Sequence, residues 1–248
     1  MPVLPGAEPF AHDGAPTGML LCHGFTSTPQ SLRPWAQALA ADDFTVRLPR
    51  LPGHGTTWQE MNQTRWDDWY AALDPSLSEL LARCDRVFVG GLSMGGALAL
   101  RLAQRRPADV AGVVLLNPAV VLGDPRLKAL PVLKHLVGSL PGIAGDIALP
   151  DVVELGYDRT PLKALHSFVQ ALPDVVRDLP QVTQPLLLLR SRQDHVIPPA
   201  SSALVLSRVS SKDVQEVVLE RSFHVATLDH EAELLADTCL AFVRRVTG

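Results

Sequence analysis

One stretch restricts the fold more than any other: Arg86–Gln104, RVFVGGLSMGGALALRLAQ. It begins apolar and β-branched, passes through glycines set around a single serine, and turns Ala/Leu-rich. A continuous apolar strand needs cover on both faces, which points to a parallel sheet with helices above and below. The spacing Gly91-x-Ser93-x-Gly95 makes the handover from strand to helix abrupt. Two readings follow. Ser93 caps the helix, or the turn exists to present Ser93 as a nucleophile at the strand's C-terminal end.

The rest of the chain repeats the same rhythm. Met19–Gly24, Phe44–Leu48, Arg86–Val89, Val110–Leu116, Leu186–Arg190 and, less distinctly, Glu216–Glu220 read as strands. Ser31–Ala41, Asp67–Leu81, Met94–Arg105, Ala200–Arg208 and Glu231–Arg245 read as helices between them. Such alternation predicts right-handed βαβ units and an α/β fold with a mainly parallel, doubly wound sheet. The segment from Pro118 to Gln184 breaks the rhythm; it is rich in Pro and Gly, with helical pieces at Leu127–Val137 and Leu162–Leu172. A structureless loop of that length is improbable in a compact domain. Residues 1–248 are therefore expected to form a single domain, with a small helical cap inserted at roughly 119–184.

Composition closes several alternatives. The net charge is −4 and Lys and Arg are scattered, so no basic stripe offers itself to nucleic acid. Three cysteines, Cys22, Cys84 and Cys239, lie far apart; they fit neither a disulfide framework nor a metal knuckle, and no metal is expected. They read as buried thiols in a reducing compartment. The N-terminal residues lack the pattern of a signal peptide, and no apolar run is long enough to span a bilayer. The expectation is a cytoplasmic protein without an integral membrane segment, monomeric or homodimeric.

A serine hydroxyl needs a base, and the base needs an orienting acid. In the chain order that accompanies this turn, acid and histidine follow the serine. His224, in ERSFHVATLD, lies between the last strand and the last helix. His135 and His166 fall in the cap, His195 directly follows the best acid candidate, and His230 reads as a first-turn or surface residue. Asp194, in the polar loop after PLLLLRS, leaves the end of the preceding strand. Asp174, Asp178 and Asp229 read as helix-end residues. The oxyanion donors are expected to be the backbone N–H groups of Met94, after the serine, and Phe25, in the loop CHGFTSTP, where Gly24 lets the chain turn inward. His23 and His54 read as scaffolding. Trp66 and Trp69 read as packing for the sheet or a pocket wall.

With the serine turn, HGF, LPGHG, DHVIPP and SFHVATLD all placed, the chain resembles the α/β-hydrolase superfamily. It is most similar there to the bacterial monoacylglycerol lipase and thermostable carboxylesterase group. The likeness runs from VLPGAEPF through LLCHGFTSTPQSLRPWA, TVRLPRLPGHGT, FVGGLSMGG and ELGYDRTP to the histidine loop. It implies the triad Ser93, Asp194 and His224, oxyanion donors Phe25 and Met94, a cap over an acyl site, and no cofactor. It also implies that Glu154, in DVVELGYDRTP, binds a glycerol head group. From the residues alone, Glu154 reads as a solvated carboxylate. The stretch VVLGDPRLKALPVLKHLVGSLPGIAGDIALP departs most from the pattern.

The expected activity is hydrolysis of a small ester, a monoacylglycerol first of all, through an acyl-enzyme. The rival is a general carboxylesterase without glycerol preference. A thioesterase, an acyltransferase and a non-catalytic ligand-binding relative stand further off. Ser93 at the turn disfavours chemistry built on an Asp nucleophile there.

Overall fold

A computed structural model describes residues 1–142 and 145–248. In chain order its elements are β1 Phe10–His12, β2 Ala15–Cys22, α1 Arg33–Ala41, β3 Phe44–Leu48, α2 Trp58–Met61, α3 Trp66–Ala71, α4 Asp74–Leu81, β4 Arg86–Leu92, α5 Met94–Arg105 and β5 Gly112–Leu116. Then follow α6 Leu130–Leu136, β6 Ser139–Pro141, β7 Arg159–Pro161, α7 Leu162–Arg177, β8 Leu186–Ser191, α8 Pro199–Arg208, β9 Val214–Leu219 and α9 Ala232–Thr247. The main sheet has the order β1-β3-β2-β4-β5-β8-β9. Only β1 runs antiparallel to its neighbour.

Side-chain alternation along the central strands builds two cores. Leu20, Cys22, Val87, Val89, Val113, Leu115, Leu186 and Leu188 face one layer, with α4, α5 and α7 against them. Met19, Leu21, Phe88, Val114, Leu116, Leu187 and Leu189 face the other, with α1 and α9. These residues are fully or almost fully buried on both faces, which is why the strands read as unbroken apolar runs.

The structure revises some expected elements. The helix expected over Asp67–Leu81 is two, α3 and α4. Pro75 sits in the first turn of α4; inside a continuous helix its ring would clash with the carbonyl of Ala71 and remove a hydrogen bond. The edge strand β1, the short α2 and the β6–β7 hairpin carry too few residues to show a period. Trp66 and Trp69 are buried in the same core as residues of the central strands, as expected. Trp69 meets Phe25 and His54 edge-on, and Trp66 stacks on Phe168 of α7 at 5.8 Å between ring centroids.

The strand order places the site. From β2 the chain moves to β3 on one side; from β4 it moves to β5 on the other. The loops after β2 and β4 therefore diverge and leave a crevice at the strands' C-terminal ends, where α/β sheets bind ligands. The chain between β5 and β8, with α6, β6, β7 and α7, lies over this edge.

Candidate active site

Ser93 joins β4 to α5 with φ 57° and ψ −118°, a backbone conformation that a non-glycine residue adopts at a cost. Its neighbours hold it there. The Ser93 N–H donates to the Leu116 carbonyl at 3.0 Å, and the Ser93 carbonyl accepts from Gly96, Ala97 and Ala119. The flanking glycines are needed because backbones touch. A Cβ on Gly95 would lie 1.9 Å from the Cys22 carbonyl oxygen, and one on Gly91 would lie 2.3 Å from the Gly95 carbonyl carbon.

Asp194 and His224 come from the loops after β8 and β9. Asp194 Oδ1 accepts the N–H groups of Val196 at 2.8 Å and Ile197 at 2.7 Å. Its Oδ2 lies 2.7 Å from His224 Nδ1. A carboxylate only accepts, so Nδ1 carries the proton and Nε2 keeps a free lone pair. Both side chains are buried, at 6% and 8% exposure. Ser93 and His224 line the same cavity, of about 270 Å³. No hydrogen bond joins the two among the described residues; His224 Nδ1 is held by Asp194.

The N–H groups of Phe25 and Met94 make no hydrogen bond among the described residues. That of Met94 is one of the first-turn donors that a helix leaves unpaired. Gly24 differs from expectation. Its φ is not left-handed, and a Cβ there would meet Ser93 Cβ at 3.6 Å. Its lack of a side chain keeps the space beside Ser93 open rather than permitting the turn.

Glu154 stands on the cavity wall, not free in solvent. Its Oε1 accepts the Ser27 hydroxyl at 2.6 Å and its Oε2 the Gly145 N–H at 3.0 Å. Ser27 Cβ is itself 3.8 Å from the Cβ position of Gly24, so this polar pair lies close to Ser93. The remaining lining is largely apolar and supplied by the cap, including Leu130, Leu133, Leu162, Leu165 and Phe168.

His23 and His54 are fully buried and stack edge to face at 4.9 Å. His23 Nδ1–H donates to the Gly24 carbonyl and its Nε2 accepts the Leu51 N–H. Burial lowers its pKa to about 4. Burial and the neighbouring His23 push His54 down as well.

Sequence reasoning missed two residues beside His224. Asn117, at the end of β5, donates to the His224 carbonyl at 2.8 Å and accepts the Ser191 N–H at 2.7 Å. A lone polar residue closing the apolar run GVVLL was the available signal. Asp146 accepts the His224 N–H at 3.1 Å; nothing in its local sequence marks it. Asp229, read as a helix start, is a buried carboxylate accepting four backbone N–H groups.

Comparison with known proteins gives one consistent result. The family described as Serine aminopeptidase, S33 (Hydrolase_4) matches residues 16–231. A thermostable monoacylglycerol lipase of Bacillus sp. (strain H-257) is 40% identical, over 100% of this chain and 98% of that protein. A carboxylesterase of Bacillus subtilis (strain 168) is 25% identical, over 96% and 97%. A solved structure from work on the metagenome-derived lipolytic enzymes LipS and LipT superimposes with TM-score 0.96 at 41% identity, covering 98% of this chain and all of that one. The monoacylglycerol lipase of Paleococcus ferrophilus shares the fold, with TM-score 0.82 at 20% identity over 99% of this chain and all of that one.

Proposed function

The chain belongs to the Serine aminopeptidase, S33 family of α/β-hydrolases and is a carboxylic ester hydrolase, and we propose that it cleaves monoacylglycerols to fatty acid and glycerol with Ser93, His224 and Asp194 as its triad. One observation carries the choice of substrate: a single cavity joins Ser93 and His224 to apolar cap residues and to the Ser27–Glu154 pair. An acyl chain wants the first lining, a diol the second.

In this reading Ser93 Oγ attacks the ester carbonyl while His224 Nε2 takes its proton. The Nδ1–H to Asp194 bond holds the tautomer and stabilises the imidazolium as it forms. The Phe25 and Met94 N–H groups receive the negative charge growing on the carbonyl oxygen. Each such donor is worth roughly 3–4 kcal/mol in the transition state. His224 then protonates the departing glycerol oxygen, and the acyl group stays on Ser93. A water deprotonated by His224 releases the fatty acid. Glu154, already an acceptor for the Ser27 hydroxyl, would accept from a glycerol hydroxyl in the same way.

The test compares monoacylglycerols with methyl esters of the same acids, on wild type, Glu154→Ala and Ser93→Ala. Wild type should prefer the glycerides, Glu154→Ala should lose that preference by raising KM for glycerides alone, and Ser93→Ala should be inactive. Equal rates on both ester classes in wild type would favour a general carboxylesterase, the reading nearest the Bacillus subtilis relative. A preference unchanged in Glu154→Ala would sink the head-group assignment.

A further inference from the structure

The segment Gly145–Leu149 runs from the cap onto the loops that carry the acid and the base. Asp146 lies on it, with its side chain only 11% exposed. Its Oδ2 accepts two backbone N–H groups, from His224 at 3.1 Å and from His195 at 3.2 Å. Its Oδ1 lies 2.8 Å from His195 Nδ1. Its own carbonyl accepts the Val225 N–H at 3.1 Å. The bond is returned from the other side: Asp229, on the histidine loop, accepts the N–H groups of Ala148 at 2.8 Å and Leu149 at 3.1 Å. Two carboxylates thus staple the cap segment and the histidine loop reciprocally.

His195 is the residue after Asp194, and His224 is the base itself. We propose that Asp146 is a positioning residue for ester hydrolysis: one carboxylate from the cap anchors the acid loop and the base loop together and fixes how far apart they sit. The bond it protects is the 2.7 Å contact between His224 Nδ1 and Asp194 Oδ2, which has to persist while His224 takes up and returns a proton. Asp146 acts through the peptide groups of His195 and His224, not on the reacting atoms. The proposal rests on the triad reading above.

The experiment measures kcat and KM for a water-soluble ester, with kcat normalised to the serine that a fluorophosphonate labels, so that misfolded protein does not count. Asp146→Ala removes the staple and should lower kcat by about 10- to 100-fold, with KM within about threefold of wild type, as expected of a small misplacement of catalytic groups. Asp146→Asn keeps an oxygen for the two N–H groups and turns an amide N–H toward His195 Nδ1; it should return kcat to within about fivefold of wild type. Asp146→Glu keeps the charge but shifts the carboxylate by one carbon–carbon bond, and should resemble the alanine variant. If the alanine variant does not fold, the order of Asn over Glu decides. An alanine variant with kcat within about twofold of wild type, a loss confined to KM, or Glu more active than Asn overturns the proposal. A wild type that hydrolyses no ester would instead overturn the triad reading.

Discussion

Two glycines near Ser93 look alike in the sequence and differ in what they do. At Gly95 a methyl would sit 1.9 Å from the Cys22 carbonyl oxygen and 2.7 Å from that of His23, both backbone. Gly95→Ala must push α5 away from β2. It should cost about 3 kcal/mol or more, lower Tm by roughly 6–12 °C in a scanning experiment, and abolish fluorophosphonate labelling. At Gly24 a methyl meets nothing closer than Ser93 Cβ at 3.6 Å. Gly24→Ala should melt within about 2 °C of wild type yet lose most of its kcat, because the methyl occupies the space beside Ser93, the proposed nucleophile. The buried histidines set a second expectation. The folded pKa of His23, about 4, lies below the ordinary value near 6.5, so the unfolded chain binds the extra proton and folding loses stability as pH falls from about 6.5 toward 4. Between pH 7 and 5 His23 alone should remove about 2 kcal/mol, read as a shift in urea midpoint; His54 acts in the same direction. A midpoint that holds steady down to pH 5 would contradict the neutral, buried assignment.

The central strands are the most legible elements, because burial on both faces leaves apolar runs such as GVVLL in β5 and the four leucines of β8. Phe44–Leu48 stands where expected although Thr45 and Arg47 alternate with its apolar residues; Asp194 follows such a run, whereas His224 follows β9, whose Gln215 and Glu216 leave a weaker signal. What could not be read has a common cause. Asp146 lies in the cap, and its partners are 49 and 78 residues further along the chain; no periodicity connects them. The same holds for the aromatic stack of Trp66, Phe168 and Phe25, at 5.8 Å and 6.0 Å between centroids, where Phe168, from the second half of the sequence, bridges two segments of the first half. Phe168 is 2% exposed and also lines the cavity. Truncating it to alanine should cost about 3–5 kcal/mol in denaturant unfolding, and should widen the acyl preference toward bulkier esters. An unchanged preference would place the acyl chain elsewhere.

At the scale of the molecule, the cap divides. Helix α7 buries Ala164, Phe168, Leu172 and Val175 in the same core as the central strands. Its C-terminal end is fastened to α5, where buried Arg101 meets Asp178 at 2.7 Å and Gln104 donates to the Val175 carbonyl at 2.8 Å. Helix α6 buries Leu130 alone and exposes Val132 and Leu136 at 68% and 75%. By this difference α7 packs with the body of the hydrolase, and α6 is the weakly held wall of the cavity, which Leu130 and Leu133 line. Hydrogen exchange should separate them. Amides of α7 should exchange only through openings near the global unfolding free energy, and those of α6 through local openings several kcal/mol below it. Acylating Ser93 with a long-chain fluorophosphonate should slow α6 selectively, since the chain supplies the apolar contacts that α6 lacks. Joint exchange of the two helices would mean that the cap opens as one piece, and that the acyl chain enters past a wall which α7 also forms.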